Sequence, residues 1–475
     1  MKKYSILFGA LLSLLMLSSC KKWLDVKPRD KVVDEDLFST QDGFFTALNG
    51  IYLGMTTDKV YGGQLTMQMT EVLAQRYNIG SDHSLYRLST YQYADPGVKQ
   101  ILANSWEGLY SNIANVNKIF SVIDAKQGLF TGDNYTLLKG ELYALRAYLH
   151  FDVFRLYGPV YKNDSLQARV PYYDRFTPQY LPFLPGREVI GKVLKDLDSA
   201  MICLAKDPVI TSGTRFSPDE SGDNTWRYRS LRMNYFAVMA LKARVYLYAN
   251  NKPAALQIAK EVISRAGATF PLTTSVVGNG ANPNRIFASE LLFALQQRYT
   301  NLAYTTYFSP DLGEREILAA ATNRLDNEFE KNENDPRYGK TWLIPSGNKK
   351  SYRCLYKYAD IADMSLPYVN QIPMIRMSEM YFIAAECETD PAAAVADINV
   401  IRKARGVPDA TTNAVISKEL LKDYKREFYA EGQMFFYYKR NFTTSIPGGT
   451  GSGNKSLGVN EYTLPLPDSE IQFRN

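Results

Sequence analysis

Side chains that could carry out catalysis or hold a metal are scarce in this sequence. Histidine occurs twice, as His83 in a polar loop and His150 within a helical pattern, too few for a histidine-based triad or a His/Cys metal cluster. The segment NENDPRYG (332–339) offers oxygen atoms but lacks the ligand spacing of a calcium loop. The glycine-rich segment GGTGSG (448–453) lacks the preceding strand and following helix of a phosphate loop and is expected to be a mobile loop. Neither a metal nor a cofactor is predicted.

Two carboxylates, Glu427 and Glu431, stand one helical turn apart, a spacing at which an acid and a base could act together. They continue a column that starts at Asp423, and Lys422 and Arg426 lie close by in the sequence. This pattern is more typical of an ion-paired helix face than of a catalytic pair. Because the motifs do not combine a nucleophile, a base and an oxyanion site, the sequence favours a binding protein over an enzyme.

The elements that must position any binding residues are mainly helices. Apolar residues recur at spacings of three and four in 104–124 and 140–158, and again within 239–263 and 374–406. This periodicity predicts three helix pairs. A further long helix is predicted from 417 through 440.

The second and third pairs carry additional helix signals. Ala243 and Ala255 lie twelve residues apart, one on each helix of the second pair, with Pro253 in the opening turn of the second helix. Small residues at these places let two antiparallel helices approach closely, as they do in a tetratricopeptide unit. In the third pair, Asp390 is the expected N-cap and Pro391 the first helical residue.

Long irregular stretches rich in Tyr, Asn, Gly and Pro separate the helix pairs. They are residues 58–100, 160–185, 207–230 and 270–370. Loops of this length are uncommon in compact proteins unless they have a function. The apolar run SELLFAL (289–295) predicts a short strand. The expected fold class is therefore mainly α: a tetratricopeptide-like helix-pair scaffold with long irregular loop insertions and a little β.

Composition limits the partners that this chain can have. Its 475 residues are 45% hydrophobic and 13% aromatic, enough for a substantial core. The 55 Lys and Arg residues are spread among 49 Asp and Glu without long runs, so nucleic-acid binding is not expected. The 34 tyrosines must serve mostly in packing between helices, but a rigid ring with a hydroxyl group also suits a binding surface.

The N-terminus has the pattern of a bacterial lipoprotein signal. Lys2 and Lys3 precede an uncharged stretch, 4–19, that is too short to span a bilayer. The following LSSC, residues 17–20, matches a lipobox, in which the cysteine thiol is acylated before cleavage. Residues 1–19 are therefore predicted to be a signal peptide, and Cys20 the lipidated start of the mature chain. Two or three acyl chains hold a protein stably on a membrane.

Taken together, these segments resemble the SusD/RagB family of outer-membrane nutrient-binding lipoproteins. Cys20 followed by Trp23-Leu24-Asp25 resembles the family's mature start, and residues 140–160 are similar to its signature N-terminal helix. Four segments of the C-terminal half match in the family's order: 374–387, 398–406, 426–441 and 464–471.

The resemblance implies a lid on a SusC-like TonB-dependent transporter that captures oligomeric nutrients for import. It also implies a lipid-anchored protein of the outer membrane that faces outward. The chain is expected to divide into a signal peptide (1–19), an N-terminal helical part (20–270), a mostly irregular insertion (271–370) and a C-terminal helical part (371–475). Residues 20–475 would form one compact unit.

In proteins of this family the ligand site comes from loops in the N-terminal part and in the middle insertion. The matching segments are 75–93 and 296–308, with 340–345 close by in the sequence. Glycans are bound by flat aromatic rings together with side chains that hydrogen-bond the hydroxyl groups. The candidate ligand-binding residues are Arg76, Tyr77, Tyr86, Tyr91, Tyr93, Tyr299, Tyr304 and Trp342.

Four functions remain open at this point. The leading hypothesis is a non-catalytic glycan-binding lipoprotein, and the same architecture could capture peptides instead. A surface glycosidase would need two carboxylates about 5 to 9.5 Å apart in a cleft. A purely structural scaffold would pack the candidate loops shut, without a concave aromatic surface.

Overall fold

Helices make up most of the regular structure in the computed structural model. It describes residues 35–218, 224–274, 280–297, 300–347, 349–411, 413–472 and 474, so the predicted signal peptide, Cys20 and Tyr299 lie outside the described residues. The helices of eight or more residues are α1 (Gln41–Met55), α2 (Pro96–Ile123), α3 (Asn134–Tyr157), α4 (Gly186–Cys203), α5 (Tyr235–Tyr248), α6 (Lys252–Ala266), α7 (Thr300–Tyr307), α8 (Thr322–Phe329), α9 (Met377–Cys387), α10 (Pro391–Ala404), α11 (Ile416–Glu427) and α12 (Met434–Asn441). Single-turn helices lie at Met69–Leu73, Tyr86–Ser89, Val209–Ser212, Pro336–Gly339, Val459–Tyr462 and Asp468–Gln472.

Local capping chemistry explains where several helices begin. The Asp95 carboxylate accepts hydrogen bonds from the first turn of α2, and Asn251 caps α6, where Pro253 occupies the first turn. Asp390 caps α10 and Pro391 is its first residue, as the sequence predicts. Each cap satisfies backbone N–H groups that have no partner within the helix.

The long helices pack as sequential neighbours. Helix α2 packs on α3, α5 on α6 and α9 on α10, and α6 also contacts α9, which joins the second and third pairs. Ala243, Ala255 and Ala259 are completely buried between the helices of their pair, so their small side chains permit the predicted close approach. The mainly α fold class with a little β is confirmed.

The strands are short and occur as two-stranded antiparallel pairs. They are β1 (Ala168–Val170) with β2 (Leu184–Pro185), β3 (Leu291–Gln296) with β6 (Gln371–Arg376), β4 (Trp342–Leu343) with β5 (Cys354–Leu355), and β7 (Ser445–Pro447) with β8 (Asn454–Ser456). The predicted strand at 289–295 corresponds to β3. Because Leu291 pairs with Arg376 and Gln296 with Gln371, β3 and β6 bring the two ends of the middle insertion together.

The glycine-rich segment 448–453 is the turn of the β7–β8 hairpin. A strand therefore does precede it, contrary to the prediction, but β8 follows it in place of the helix that a phosphate loop requires. The turn is closed by a hydrogen bond from Gly448 N to Gly453 O, 3.0 Å long.

The predicted helix from 417 through 440 is wrong in one respect, because it is two helices. Helix α11 ends at Glu427, and the chain turns before α12 begins at Met434. Ala430 and Gly432 have φ angles of +57° and +72°, which no α-helix contains. A Cβ atom at Gly432 would lie 2.1 Å from Leu65 O, so only glycine permits this approach.

The chain divides into two compact units, residues 1–47 and 48–475, and every site described below lies within the second. Among the described residues, no helix is both long enough and apolar enough to cross a membrane.

Candidate functional site

The 75–93 loop meets the middle insertion through main-chain hydrogen bonds, at residues that follow the expected segment 296–308. Asn78 N donates to Ala319 O over 2.8 Å, and Ser84 N donates to Arg315 O over 2.9 Å. The Arg315 guanidinium adds a bond of 3.0 Å to Asp82 O. The insertion is therefore held against the 75–93 loop by backbone pairing, which the side-chain pattern did not reveal.

Three predicted ligand-binding residues are inside the protein. Arg76 and Trp342 are 0% exposed and Tyr77 is 1% exposed. The Arg76 guanidinium lies 3.5 Å from the centre of the Tyr429 ring and pairs with Glu328 at 3.1 Å. The Tyr77 hydroxyl donates to a backbone carbonyl, and Trp342 contacts Tyr429 edge-on with ring centres 5.0 Å apart. Arg76 and Trp342 fasten their segments to Tyr429 in the turn between α11 and α12, and none of the three side chains is available to a ligand in this structure.

Three other predicted tyrosines, Tyr86, Tyr91 and Tyr93, are half-buried. The Tyr91 hydroxyl donates to Leu73 O over 2.8 Å, and the Tyr93 hydroxyl donates to Glu461 O over 2.6 Å. Burial raises the pKa of both hydroxyl groups above the ordinary value. The hydroxyl groups of Tyr91 and Tyr93 are thus engaged within the protein, and only the exposed parts of their rings could contact a ligand.

Tyr304 is the predicted residue that belongs to a partly exposed aromatic group. Its ring centre lies 5.6 Å from that of Tyr356, with the planes tilted by 44°. Tyr352 and Tyr356 pack side by side on the small core of Ile317 and Cys354, and both are half-exposed. Their spacing of two residues on either side of Cys354 matches a strand period, a signal that could have identified them.

A cation stands beside these rings. The Arg285 guanidinium carbon lies 5.9 Å from the centre of the Tyr356 ring, and its Nε donates to Lys340 O over 2.9 Å. Desolvation by the surrounding protein lowers the pKa of Arg285, but the group stays charged. Within the described chain neither Nη atom of Arg285 has a hydrogen-bond acceptor. We refer to Tyr304, Tyr352, Tyr356 and Arg285 as the tyrosine surface.

A second aromatic site was not predicted. Trp106 and Tyr110 on α2, together with Tyr173 and Phe176 from the irregular stretch after α3, line a cleft of about 640 Å³. Tyr110 and Tyr173 contact edge-on at 5.6 Å, and Phe176 is 52% exposed. We refer to these four side chains as the aromatic cleft. Helical spacing predicts that Trp106 and Tyr110 share one face of α2, but their contact with residues 173–176 depends on the tertiary fold.

The carboxylates considered for catalysis are buried in ion pairs. Glu427 is 2% exposed and Glu431 is 4% exposed. Arg376 donates to both, to Glu427 Oε1 over 2.5 Å and to Glu431 Oε1 over 2.9 Å. Both carboxylates are ion-paired, as predicted, but the pairs lie in the core, and the expected partners Lys422 and Arg426 pair with Glu330 instead. Glu470 is the one carboxylate among the described residues that line the aromatic cleft, whereas glycoside hydrolysis uses two.

Within the described residues, no group of three or more His, Cys, Asp or Glu side chains is arranged to hold a metal ion. His83, expected in a polar loop, is buried and takes part in hydrogen bonds with Ile317 O and Leu85 N. Its ring helps to hold the two loops together.

Comparison with known proteins identifies the family. Residues 22–247 match a family model described as SusD-like, starch-binding and associating with the outer membrane, and residues 282–472 match the model of the SusD family. The chain belongs to the SusD/RagB family. SusD-like protein P38 of Formosa agariphila is 24% identical over 505 residues, covering 91% of this chain and 90% of that protein.

Solved SusD structures share the fold of this chain. A SusD superfamily protein from Bacteroides thetaiotaomicron has a TM-score of 0.71 at 21% identity, covering 91% of this chain and 98% of that chain. A laminarin-binding SusD-like protein has a TM-score of 0.63 at 17% identity, covering 91% of this chain and 97% of that chain.

Proposed function

We propose that this SusD/RagB family member is a non-catalytic glycan-binding lipoprotein of the outer membrane. It delivers oligosaccharides to a SusC-like TonB-dependent transporter. Membership of a family whose model is described as starch-binding supports the ligand class, and a laminarin-binding relative by fold is consistent with it. The observation that carries the proposal is the tyrosine surface, where partly exposed rings lie next to an arginine with unfilled donors.

The chemistry of the tyrosine surface suits a sugar. The C–H faces of a pyranose ring pack against the flat rings of Tyr304 and Tyr356, because both surfaces are apolar and gain by leaving water. The two free Nη groups of Arg285 donate to hydroxyl groups at the edge of the same sugar. A peptide would instead need exposed backbone partners or side-chain pockets, and we therefore rank peptide capture second.

The membrane attachment is proposed from the sequence. Acylated Cys20 tethers the mature chain, and the residues that follow lead from the membrane to the folded part. We place the protein on the outer face of the outer membrane, where it meets polymers before the transporter does. Affinity purification of the lipidated protein from outer membranes is expected to recover a TonB-dependent transporter. Its consistent absence would contradict the partnership.

Calorimetric titration tests the ligand class. Residues 21–475, prepared without the lipid, are titrated with laminarin, starch oligosaccharides and protein digests. Tyr304→Ala and Tyr356→Ala should each weaken glycan binding about tenfold, or about 1.4 kcal/mol, because each removes one stacking ring. Tyr246→Ala, which removes a half-buried tyrosine on α5, is the matched control and should leave binding unchanged.

The other outcomes are equally informative. Binding that is lost in Phe176→Ala but kept in Tyr304→Ala would move the glycan to the aromatic cleft. If only the protein digests give heat of binding, the proposed ligand changes from a glycan to a peptide. Release of new reducing ends during incubation with a bound glycan would contradict the non-catalytic assignment.

A further inference from the structure

A basic cleft lies between α8, α11 and the glycine-rich turn of the β7–β8 hairpin. Its charged lining consists of Arg324, Lys418, Lys422, Lys425 and Glu328. Four cations and one carboxylate give this lining a net charge of +3. The three lysines lie on one face of α11 at spacings of four and three residues.

Two of these four cations, Lys418 and Lys425, form no ion pair within the described chain, and a third, Arg324, keeps one donor unused. The Lys425 side chain is half-buried, and its Nζ has no acceptor among the described residues. Burial lowers the pKa of Lys425, and the neighbouring Arg76 and Arg324 lower it further, opposed by Glu328. Lys418 likewise forms no ion pair within the described chain. Arg324 is 5% exposed, and its Nη2 is buried without an acceptor there.

The nearby carboxylates are already used. Glu328 accepts hydrogen bonds from Arg76, Arg324 and Tyr429. Glu330 pairs with Lys422 and with Arg426. Because an unpaired half-buried cation is costly, the site gains most from an anion supplied from outside the chain.

The glycine-rich turn forms a fixed rim of this cleft. Asn323 Nδ2 donates to Gly451 O over 2.8 Å, and Gly449 N donates to Gln75 Oε1 over 3.2 Å. Gly451 has a φ angle of +78°, and a Cβ atom there would lie 2.0 Å from Asn323 Oδ1. The positive φ angle favours glycine at 451, and the two hydrogen bonds hold the turn in place, so the segment predicted to be a mobile loop shapes the cleft.

We propose that the basic cleft binds the carboxylate or sulfate groups of an acidic polysaccharide. The inference rests on the proposed glycan-binding function and names a class of glycan for it. Lys418, Lys422 and Lys425 extend over about 10 Å of helix, which suits a chain with repeated anionic groups better than a single small anion. Leu421 between them offers apolar contact to a sugar ring, and the Asn327 amide faces the same space.

The test compares acidic and neutral oligosaccharides of equal length. Wild-type protein is titrated at low and high salt with a galacturonate oligomer, a sulfated oligomer, a neutral oligomer and inorganic sulfate alone. We expect at least one acidic oligomer to bind at least tenfold more tightly than the neutral one, with an affinity that falls as salt screens the charges. The carboxylate and sulfate arms identify which anionic group is recognised.

Substitutions locate the effect in the cleft. The double variant Lys418→Gln, Lys425→Gln should lose at least tenfold in affinity for the acidic oligomer while its melting temperature is unchanged. Lys425→Arg keeps the charge and should retain binding. Lys403→Gln removes an exposed lysine on the adjacent helix α10 and serves as the control.

Each remaining result overturns the proposal. Acidic oligomers that bind the double variant as well as wild type show that the cleft is not their site. If neutral glycans still bind and depend on Tyr304 in that case, the proposed function survives. If inorganic sulfate binds as tightly as the oligomers, the cleft is a site for small anions and does not recognise a polysaccharide. Binding of acidic peptides alone, with no glycan bound, contradicts both proposals.

Discussion

Helix α11 carries two charged faces that the protein treats in opposite ways. On one face, Asp423 and Glu427 are buried and paired. Arg402 Nε donates to Asp423 over 2.9 Å, and Arg376, Arg337 and Arg405 all donate to Glu427. On the other face, Lys418 and Lys425 line the basic cleft without a carboxylate partner in the described chain.

The difference shows how the role of a charge can be read from its surroundings. Although burial alone would raise the pKa of Glu427, Arg405, Arg376 and Arg337 together lower it well below its ordinary value. A charge in the core must be neutralised in this way, because water cannot reach it. Charges beside an open cleft keep part of their hydration, so staying unpaired costs less there than in the core, and they remain available to a ligand.

The largest expected effect follows from breaking the paired face. Glu427→Gln leaves Arg337, Arg376 and Arg405 without their shared carboxylate, and we expect a loss of about 3 to 5 kcal/mol in the free energy of unfolding. Lys422→Gln on the opposite face should cost less than about 1 kcal/mol, because its ion pair is partly exposed. Urea denaturation measures both, and equal losses would contradict the distinction between the faces.

The pH dependence of stability sharpens the comparison at Glu328, a paired carboxylate that lines the basic cleft. Burial raises its pKa, but Arg76 and Arg324 outweigh burial and lower it to about 2, against about 4.3 in an unfolded chain. A lowered folded pKa stabilises the protein above about pH 4.3, and this contribution is lost as the pH falls towards 2. Glu328→Gln should therefore cost about 3 kcal/mol at pH 6 and progressively less between pH 4.3 and 2. A cost that is independent of pH would contradict this account.

The rim of the basic cleft provides a matched pair of glycines. An alanine at 451 would have a positive φ angle and its Cβ would clash with the Asn323 side chain. An alanine at 453 would also have a positive φ angle, +64°, but its Cβ would point into open space. We expect a loss of about 1 kcal/mol for Gly453→Ala and at least about 2 kcal/mol for Gly451→Ala. Amide hydrogen exchange of residues 445–456 measures the local opening of the hairpin. Similar protection in the two variants would show that the turn does not depend on the contact with Asn323.

The smallest expected effect is at the unpaired lysine. Lys425→Gln removes repulsion from Arg76 and Arg324 and should leave the free energy of unfolding unchanged, or raise it by about 0.5 kcal/mol at low salt. Lys260→Gln, which breaks ion pairs to Asp397 and Glu388, should instead lower stability by up to about 1 kcal/mol. A clear loss in Lys425→Gln would indicate a hidden structural role for that lysine.

The helical scaffold could be predicted because its signals are local. Asp390 and Pro391 start α10 where the sequence indicates, and the apolar run at 289–295 forms β3. The long C-terminal helix was predicted wrongly because its periodicity continues through Gly432. The turn places Gly432 against Leu65 O, more than 360 residues away in the sequence, and such a distant contact leaves no local signal.

The candidate site was less accessible to sequence reasoning. Arg76 and Trp342 have the residue types of a glycan site, but both pack against Tyr429 and are buried. Tyr304 does lie on a partly exposed aromatic group, but its partners Tyr356 and Arg285 were not among the predicted residues. Whether an aromatic ring faces inward or outward depends on partners that are distant in the chain.

The sequence by itself determined the family, the helix pairs with their caps and the expectation of a lipid anchor, because each of these is written in short contiguous patterns. The tertiary structure decided which charges are neutralised and which rings are exposed. The buried charge of Glu427 depends on arginines from β6, the end of α10 and the 336–339 helix. The partly exposed rings depend on the meeting of Tyr304 and Tyr356, which are distant in the chain. Lys425 and Glu427 lie only two residues apart on α11 and both are charged, but the packing of distant segments around the helix places Glu427 in the core and Lys425 beside the basic cleft.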